Sequence, residues 1–138
     1  MEDPKKTILN LLRENWDASG VGFTPRFSVD WYDGEEELPQ VVVTRLTEDQ
    51  RALGLTGDPS TAERRVEGLY AIDVWSKGDQ ARRWSMIEEV DRILRERCTT
   101  PGGDLEFLEA RSWRDLDEVD VSPKLFRTQI IVRVVYNR

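Results

Sequence analysis

Near the C-terminus, Phe126, Ile130, Val132, Val134 and Tyr136 occupy alternate positions, while Arg127, Gln129 and Arg133 fall between them. A period of two predicts a strand with one apolar face, and such a face is stable only under a second layer. Two segments at helical spacing can supply that layer. Asp3-Pro4 opens the first, with a carboxylate that can accept from the orphan amides and a proline that loses nothing at the first helical position. This helix is predicted to run to about Trp16, with Ile8, Leu11, Leu12 and Trp16 on one side, and Asp17-Ala-Ser-Gly20 ends it. In the second, Asp79 is the expected cap. Trp84, Ile87, Val90, Leu94 and Cys98 form its apolar stripe, opposite Ser85, Glu88, Glu89, Arg92, Arg95 and Glu96. Glu88 and Arg92 stand in the favourable four-residue order, and Thr99-Thr-Pro-Gly-Gly103 stops the helix.

The remaining strands follow from the same alternation. Phe27, Val29 and Trp31 predict a half-buried first strand, and Val41-Val42-Val43 after Pro39 a second with cover on both faces. The turn signal Asp33-Gly34 between them predicts a hairpin. Tyr70, Ile72 and Val74 give a third strand that turns at Lys77-Gly78, and Leu105 to Trp113 a fourth. From Arg45 to Glu67 neither period is sustained, which predicts a long loop or extended arm; a short helix over 48–53 is the competing reading. The expected fold is therefore α+β, one domain over 1–138, in the order αβββαββ. Its mostly antiparallel sheet carries two helices packed on one face and a long arm, about 45–67, between strands 2 and 3.

Chemistry is narrowed by what the chain lacks. There is no histidine among the 138 residues, so His-based acid/base catalysis, His-paired nucleophiles and His-ligated metals are excluded. The single Cys98 falls on a helical apolar stripe and reads as packing rather than as a nucleophile. Without a second cysteine or a secretory leader pattern, the expectation is a reducing cytoplasm. The apolar runs fall far short of the roughly 20 residues a bilayer requires, so no membrane contact is expected. Asp115, Asp117, Glu118 and Asp120 lack the spacing of a calcium loop and read as a solvated acidic loop, as do Glu35-Glu36-Glu37. Gly20-Val-Gly22 and Gly102-Gly103 match no phosphate-binding pattern, so neither cofactor nor metal is expected.

Net charge is −7, with 20 basic against 27 acidic residues, which argues against sequence-reading of DNA or RNA. Sixteen of the bases are arginine and four are lysine, a skew that suits a salt-loving host or a GC-rich genome. The sequence points to action through contact, without catalysis. Leu46, Leu53 and Leu55 are poor choices for a solvated segment but natural anchors in an interface, and Arg51, Arg64 and Arg65 accompany them as candidate contact residues.

Four features resemble the tail-terminator (tail-completion) proteins of long-tailed phages and related archaeal viruses. They are the opening helix Pro4 to Trp16, the strand Pro39-Gln-Val-Val-Val43 ahead of the arm, the join of Tyr70-Ala-Ile-Asp-Val-Trp75 to the helix Asp79 to Arg97, and the closing Ile130-Ile-Val-Arg-Val-Val-Tyr-Asn137. The resemblance implies a virion protein of the tail and neck region, assembled in the host cytoplasm. It further implies a homo-oligomeric, hexameric ring that stops growth of the tail tube, contacts the tube protein and a neck or connector protein, and lets DNA pass without sequence-specific binding. Two other readings remain open: a different head-closure or neck component, and a cytoplasmic protein-binding module.

Overall fold

The computed structural model describes residues 1–31, 39–52, 63–77, 80–117 and 125–138. Its elements are α1 (Pro4–Asn15), α2 (Ala18–Val21), β1 (Arg26–Val29), β2 (Gln40–Ala52), β3 (Arg64–Lys77), α3 (Gln80–Glu96), β4 (Leu105–Asp115) and β5 (Leu125–Asn137). The five strands form one sheet in the order β1-β2-β3-β5-β4, and each pair is antiparallel except β1 with β2. The α+β expectation is met, with α2 as one added turn. The expected Asp33-Gly34 turn, the Glu35 to Glu37 run, Gly78, the Asp79 cap and Glu118 to Asp120 lie outside the described residues.

Both long helices lie on one face. Val41 and Val43 of β2, Tyr70, Ile72 and Val74 of β3, and Ile130, Val132, Val134 and Tyr136 of β5 share that face. They pack with Ile8, Leu11 and Leu12 of α1 and Met86, Val90, Ile93 and Leu94 of α3. Burying each such side chain contributes about 1.5 to 3 kcal/mol, so this layer dominates the stability. On the opposite face, Arg127 lies over the Trp75 ring at 5.0 Å and its Nε donates to Asp73 at 2.9 Å. Val42 and Ala71 are nevertheless almost fully covered there.

Three expectations need correction. First, β1 and β2 are not a hairpin: Arg26 to Val29 run parallel to Gln40 to Val43. Alternation predicts which residues share a face but carries no information on strand direction. Asp30 adopts a φ of 74° and donates its backbone N–H to Val43 O at 2.9 Å, so the chain leaves the strand one residue before Trp31. Trp31, expected on the apolar face, is therefore 77% exposed.

Second, the stripe of α3 is rotated. Its buried residues are Arg83, Met86, Ile87, Glu89, Val90, Ile93 and Leu94, while Trp84 is 56% exposed and Cys98 lies beyond the helix, half-buried. Arg83 and Glu89 are buried because each has a partner. Arg83 pairs with Asp117 and lies 4.8 Å from the Phe126 ring centre, and Glu89 accepts from Asp17 N at 2.6 Å. Arg92 pairs with Glu89 and Glu96, not with Glu88.

Third, an arm between strands 2 and 3 is present as expected, but its described parts are regular strand rather than loop. Thr47 to Ala52 pair with Arg64 to Leu69 as continuations of β2 and β3, so residues 48–52 are strand and not helix. A bulge between Arg45 and Thr47 shifts the alternation by one residue, and Glu48 occupies an inward position, so no apolar period survives in the sequence.

Candidate interaction surfaces

Among the described residues, two strand edges without a paired neighbour and a groove stand out. β1 covers β2 only as far as Val43, so from Thr44 onward β2 is an outer strand, and β4 is the outer strand at the other side. Unpaired edges are liabilities unless blunted or used. Both carry bulges, at Leu46 in β2 and at Glu106 and Arg111 in β4.

The β2 edge is anchored by a polar knot. Glu48 accepts from the Tyr70 hydroxyl and, at 3.1 Å, from the Tyr136 hydroxyl. Arg45 Nε donates to Tyr70 Oη at 3.1 Å, and its Nη2 reaches Asp3 at 2.6 Å. Asp3 also caps α1 by accepting from Lys5 N at 3.0 Å, so the knot joins the helix start to the strand. Burial, and then the hydrogen bond to Glu48, push the Tyr70 phenol above its ordinary value, while Arg45 draws it down. Burial and the Glu48 charge raise Tyr136 likewise. The hydrogen bond to Tyr70 raises the Arg45 guanidinium further. Both tyrosines are thereby favoured in their neutral form, which donates to Glu48.

The predicted contact residues are partly brought together. Leu46, the extra residue of the bulge, is 49% exposed. Arg51 stands directly opposite Arg65 across the β2–β3 ladder, and Arg64 opposite Ala52. Arg65 reaches across to Glu106 at 3.2 Å and Asn137 at 3.3 Å, so it is tied into the sheet. Leu53 and Leu55 lie outside the described residues.

The groove lies between α3 and the β4 edge and has a volume of about 680 Å³. Leu94, Cys98, Phe107, Ala110 and Trp113 supply its apolar lining, with the Asp91–Arg95 pair at the rim. Trp113 is 48% exposed, and Cys98 O accepts from Leu108 N at 2.9 Å, which fixes the floor. Sequence reasoning placed no contact residue here. Trp113 belongs to a strand by its neighbours, and whether it faces the core or the edge depends on the two bulges. Among the described residues no group of three or more His, Cys, Asp or Glu side chains is placed to hold a metal ion, and no helix is long and apolar enough to cross a membrane.

No protein-family model matches the chain, and no curated protein is significantly similar to it.

Proposed function

We propose that this chain is a structural virion protein, a tail terminator that assembles as a ring on the head-proximal end of a tail tube, ends its polymerisation and presents a surface to the neck. The observation that carries the reading is the arrangement of the sheet. A layer of two helices covers one face, while β2 and β3 run past the end of β1 and, among the described residues, the β2 edge beyond Val43 has no paired strand beside exposed Leu46. A small domain with two open edges and one helix layer can be joined edge to edge into a closed array. The acidic balance of −7 suits a lumen through which DNA slides without sticking. The described residues hold one half-buried cysteine and hydrogen-bonded tyrosines and carboxylates, which fits a role without catalysis.

A head-closure or other neck protein makes the same kind of array and is separated from a terminator by its position in the particle. A cytoplasmic binding module predicts a stable monomer. Electron microscopy of the purified chain, alone and with growing tail tubes, decides among them. With growing tubes present, tubes of limited length carrying an annular cap at one end are expected. Tubes that grow unchanged at saturating protein, with no ring on any of them, sink the terminator reading. Within it, Leu46→Asp places a charge at the β2 edge and is expected to reduce capping without unfolding the chain, since Leu46 is half exposed.

A further inference from the structure

Along β4 the charged side chains between Leu105 and Asp115 occur in the order Glu106, Glu109, Arg111, Arg114: acid, acid, base, base. Strict alternation would put Glu106 and Arg114 on one face of the sheet and Glu109 and Arg111 on the other. The two bulges of β4, between Leu105 and Phe107 and between Ala110 and Ser112, remove that difference. Glu106 accepts from Arg65 at 3.2 Å and Asn137 at 3.0 Å, and Arg133 approaches Glu109 at 3.5 Å. Arg111 lies 3.8 Å from Glu109, and Arg114 donates to Gln129 at 3.1 Å. Arg65, Gln129, Arg133 and Asn137 share the helix-free face by the unbroken β3–β5 register, so all four β4 charges sit at the rim of that face.

The order is self-complementary under one operation. A second copy turned about a two-fold axis at Ala110, with its β4 antiparallel to the first, sets Glu109 against Arg111 of the other copy and Glu106 against Arg114, and each pair forms twice by symmetry. A copy laid parallel in the same register sets like against like. Within the chain Glu106 and Glu109 already meet Arg65 and Arg133, whereas Arg114 contacts an uncharged amide and Arg111 stands 3.8 Å from Glu109, so the basic half of the edge keeps the weaker partners among the described residues. Trp113, paired with Ile130, lies on the helix side of the same edge, and the operation carries it to the mouth of the other copy's groove, lined by Leu94, Cys98 and Ala110, while Phe107, paired with Val135, lies with the charges on the helix-free face.

We propose that the β4 edge is a docking surface for a second copy of this chain, antiparallel and edge to edge, with Glu106 and Glu109 facing Arg114 and Arg111 across the contact and each Trp113 seated in the other copy's α3–β4 groove. The bulges interrupt the main-chain ladder, so side chains carry the contact. Exposed ion pairs set orientation rather than affinity, and the aromatic anchors supply the affinity. A two-fold contact does not generate a cyclic ring of six, so the pair is separate from the ring proposed above and stands without it.

The test uses the full chain in light scattering and sedimentation over a concentration series at low and high salt. The wild type is expected to form a particle of twice the 16.0 kDa chain mass, weakened by salt. A basic-edge variant, Glu106→Arg with Glu109→Arg, and an acidic-edge variant, Arg111→Glu with Arg114→Glu, should each self-associate at least about tenfold more weakly. Their equimolar mixture should pair again. Trp113→Ala, at an exposed position, should weaken pairing while leaving the circular dichroism spectrum unchanged. A wild type monomeric at every concentration, a pair indifferent to both charge reversals or to Trp113→Ala, or a mixture of folded variants that does not pair overturns the proposal. A six-fold particle insensitive to these changes overturns it too, and leaves the ring reading standing.

Discussion

At Glu48 a carboxylate occupies an inward position of β2, where the neighbouring strands place Tyr70 and Tyr136, and it is held there by donors from both tyrosines. Its backbone partner is Gly68, and an added Cβ at Gly68 would lie 2.8 Å from Tyr70 Cε1 and 3.1 Å from Glu48 Cγ. The glycine is required by this close approach. Gly68→Ala has to displace a fully buried tyrosine and is expected to destabilise the fold by about 1 to 3 kcal/mol, read from the urea midpoint. Tyr70→Phe removes one donor to Glu48 and the acceptor of Arg45 Nε. It should cost about 1 to 3 kcal/mol by the same measurement, because a mostly buried carboxylate loses a partner while staying desolvated. A neutral effect of Tyr70→Phe would show that water replaces the hydroxyl and that the knot is not a stabilising element.

Among the elements, α3 shows how partners redirect a helix face. Glu89 lies on the inward side because it gathers three donors: Arg92 Nε at 2.6 Å, Arg92 Nη2 at 2.8 Å and the backbone of Asp17 at 2.6 Å. The same Arg92 Nη2 donates to Asn15 O at 2.8 Å, so the pair clamps the end of α1 and the start of α2 to α3. Glu89→Ala is expected to cost about 1 to 3 kcal/mol, since Arg92 is partly solvated, and to speed amide exchange over residues 15–22 ahead of global unfolding. Protection there equal to wild type would assign the cost to α3 alone. The sheet gives a contrast within one measurement. Ile130→Ala in the centre of β5 should cost about 2 to 5 kcal/mol, whereas Trp84→Ala on the exposed side of α3 should stay within about 0.5 kcal/mol, although both are large apolar residues. Equal losses would return Trp84 to the core stripe that spacing suggests.

For the whole molecule, the titrating groups bound a pH range. Burial alone would raise Glu89, but the hydrogen bonds from Arg92 and Asp17 outweigh it and hold the group below 4.5. The unfolded chain then binds this proton more readily, so the contribution is complete above that value and is lost as the pH falls through the folded value. Asp17 behaves alike below 3.8, through its bonds from Ser19 and Gly20. Tyr70 and Tyr136 are raised above 10.0, so their contribution is complete below pH 10.0 and is lost as the pH rises. Thermal stability should therefore be flat between the two and fall on either side. In Tyr70→Phe the alkaline fall should shrink while the acid fall is retained.

How much of this was legible in the sequence divides along a physical line. Order along the chain, the α1 stripe, the face of β5 and the placement of both helices on one side follow from periods of 2 and 3.6, which are local properties of a backbone and its side chains. The exclusion of imidazole chemistry follows from composition. Strand direction, the exposure of Trp31, Trp84 and Trp113, the burial of Arg83 and Glu89, and the groove beside β4 were decided elsewhere. A bulge changes which face a residue occupies, and a charge goes inward only when a partner distant in sequence meets it. Asp17 meets Glu89 across 72 positions and Tyr136 meets Glu48 across 88, and only the packed chain brings such pairs within reach.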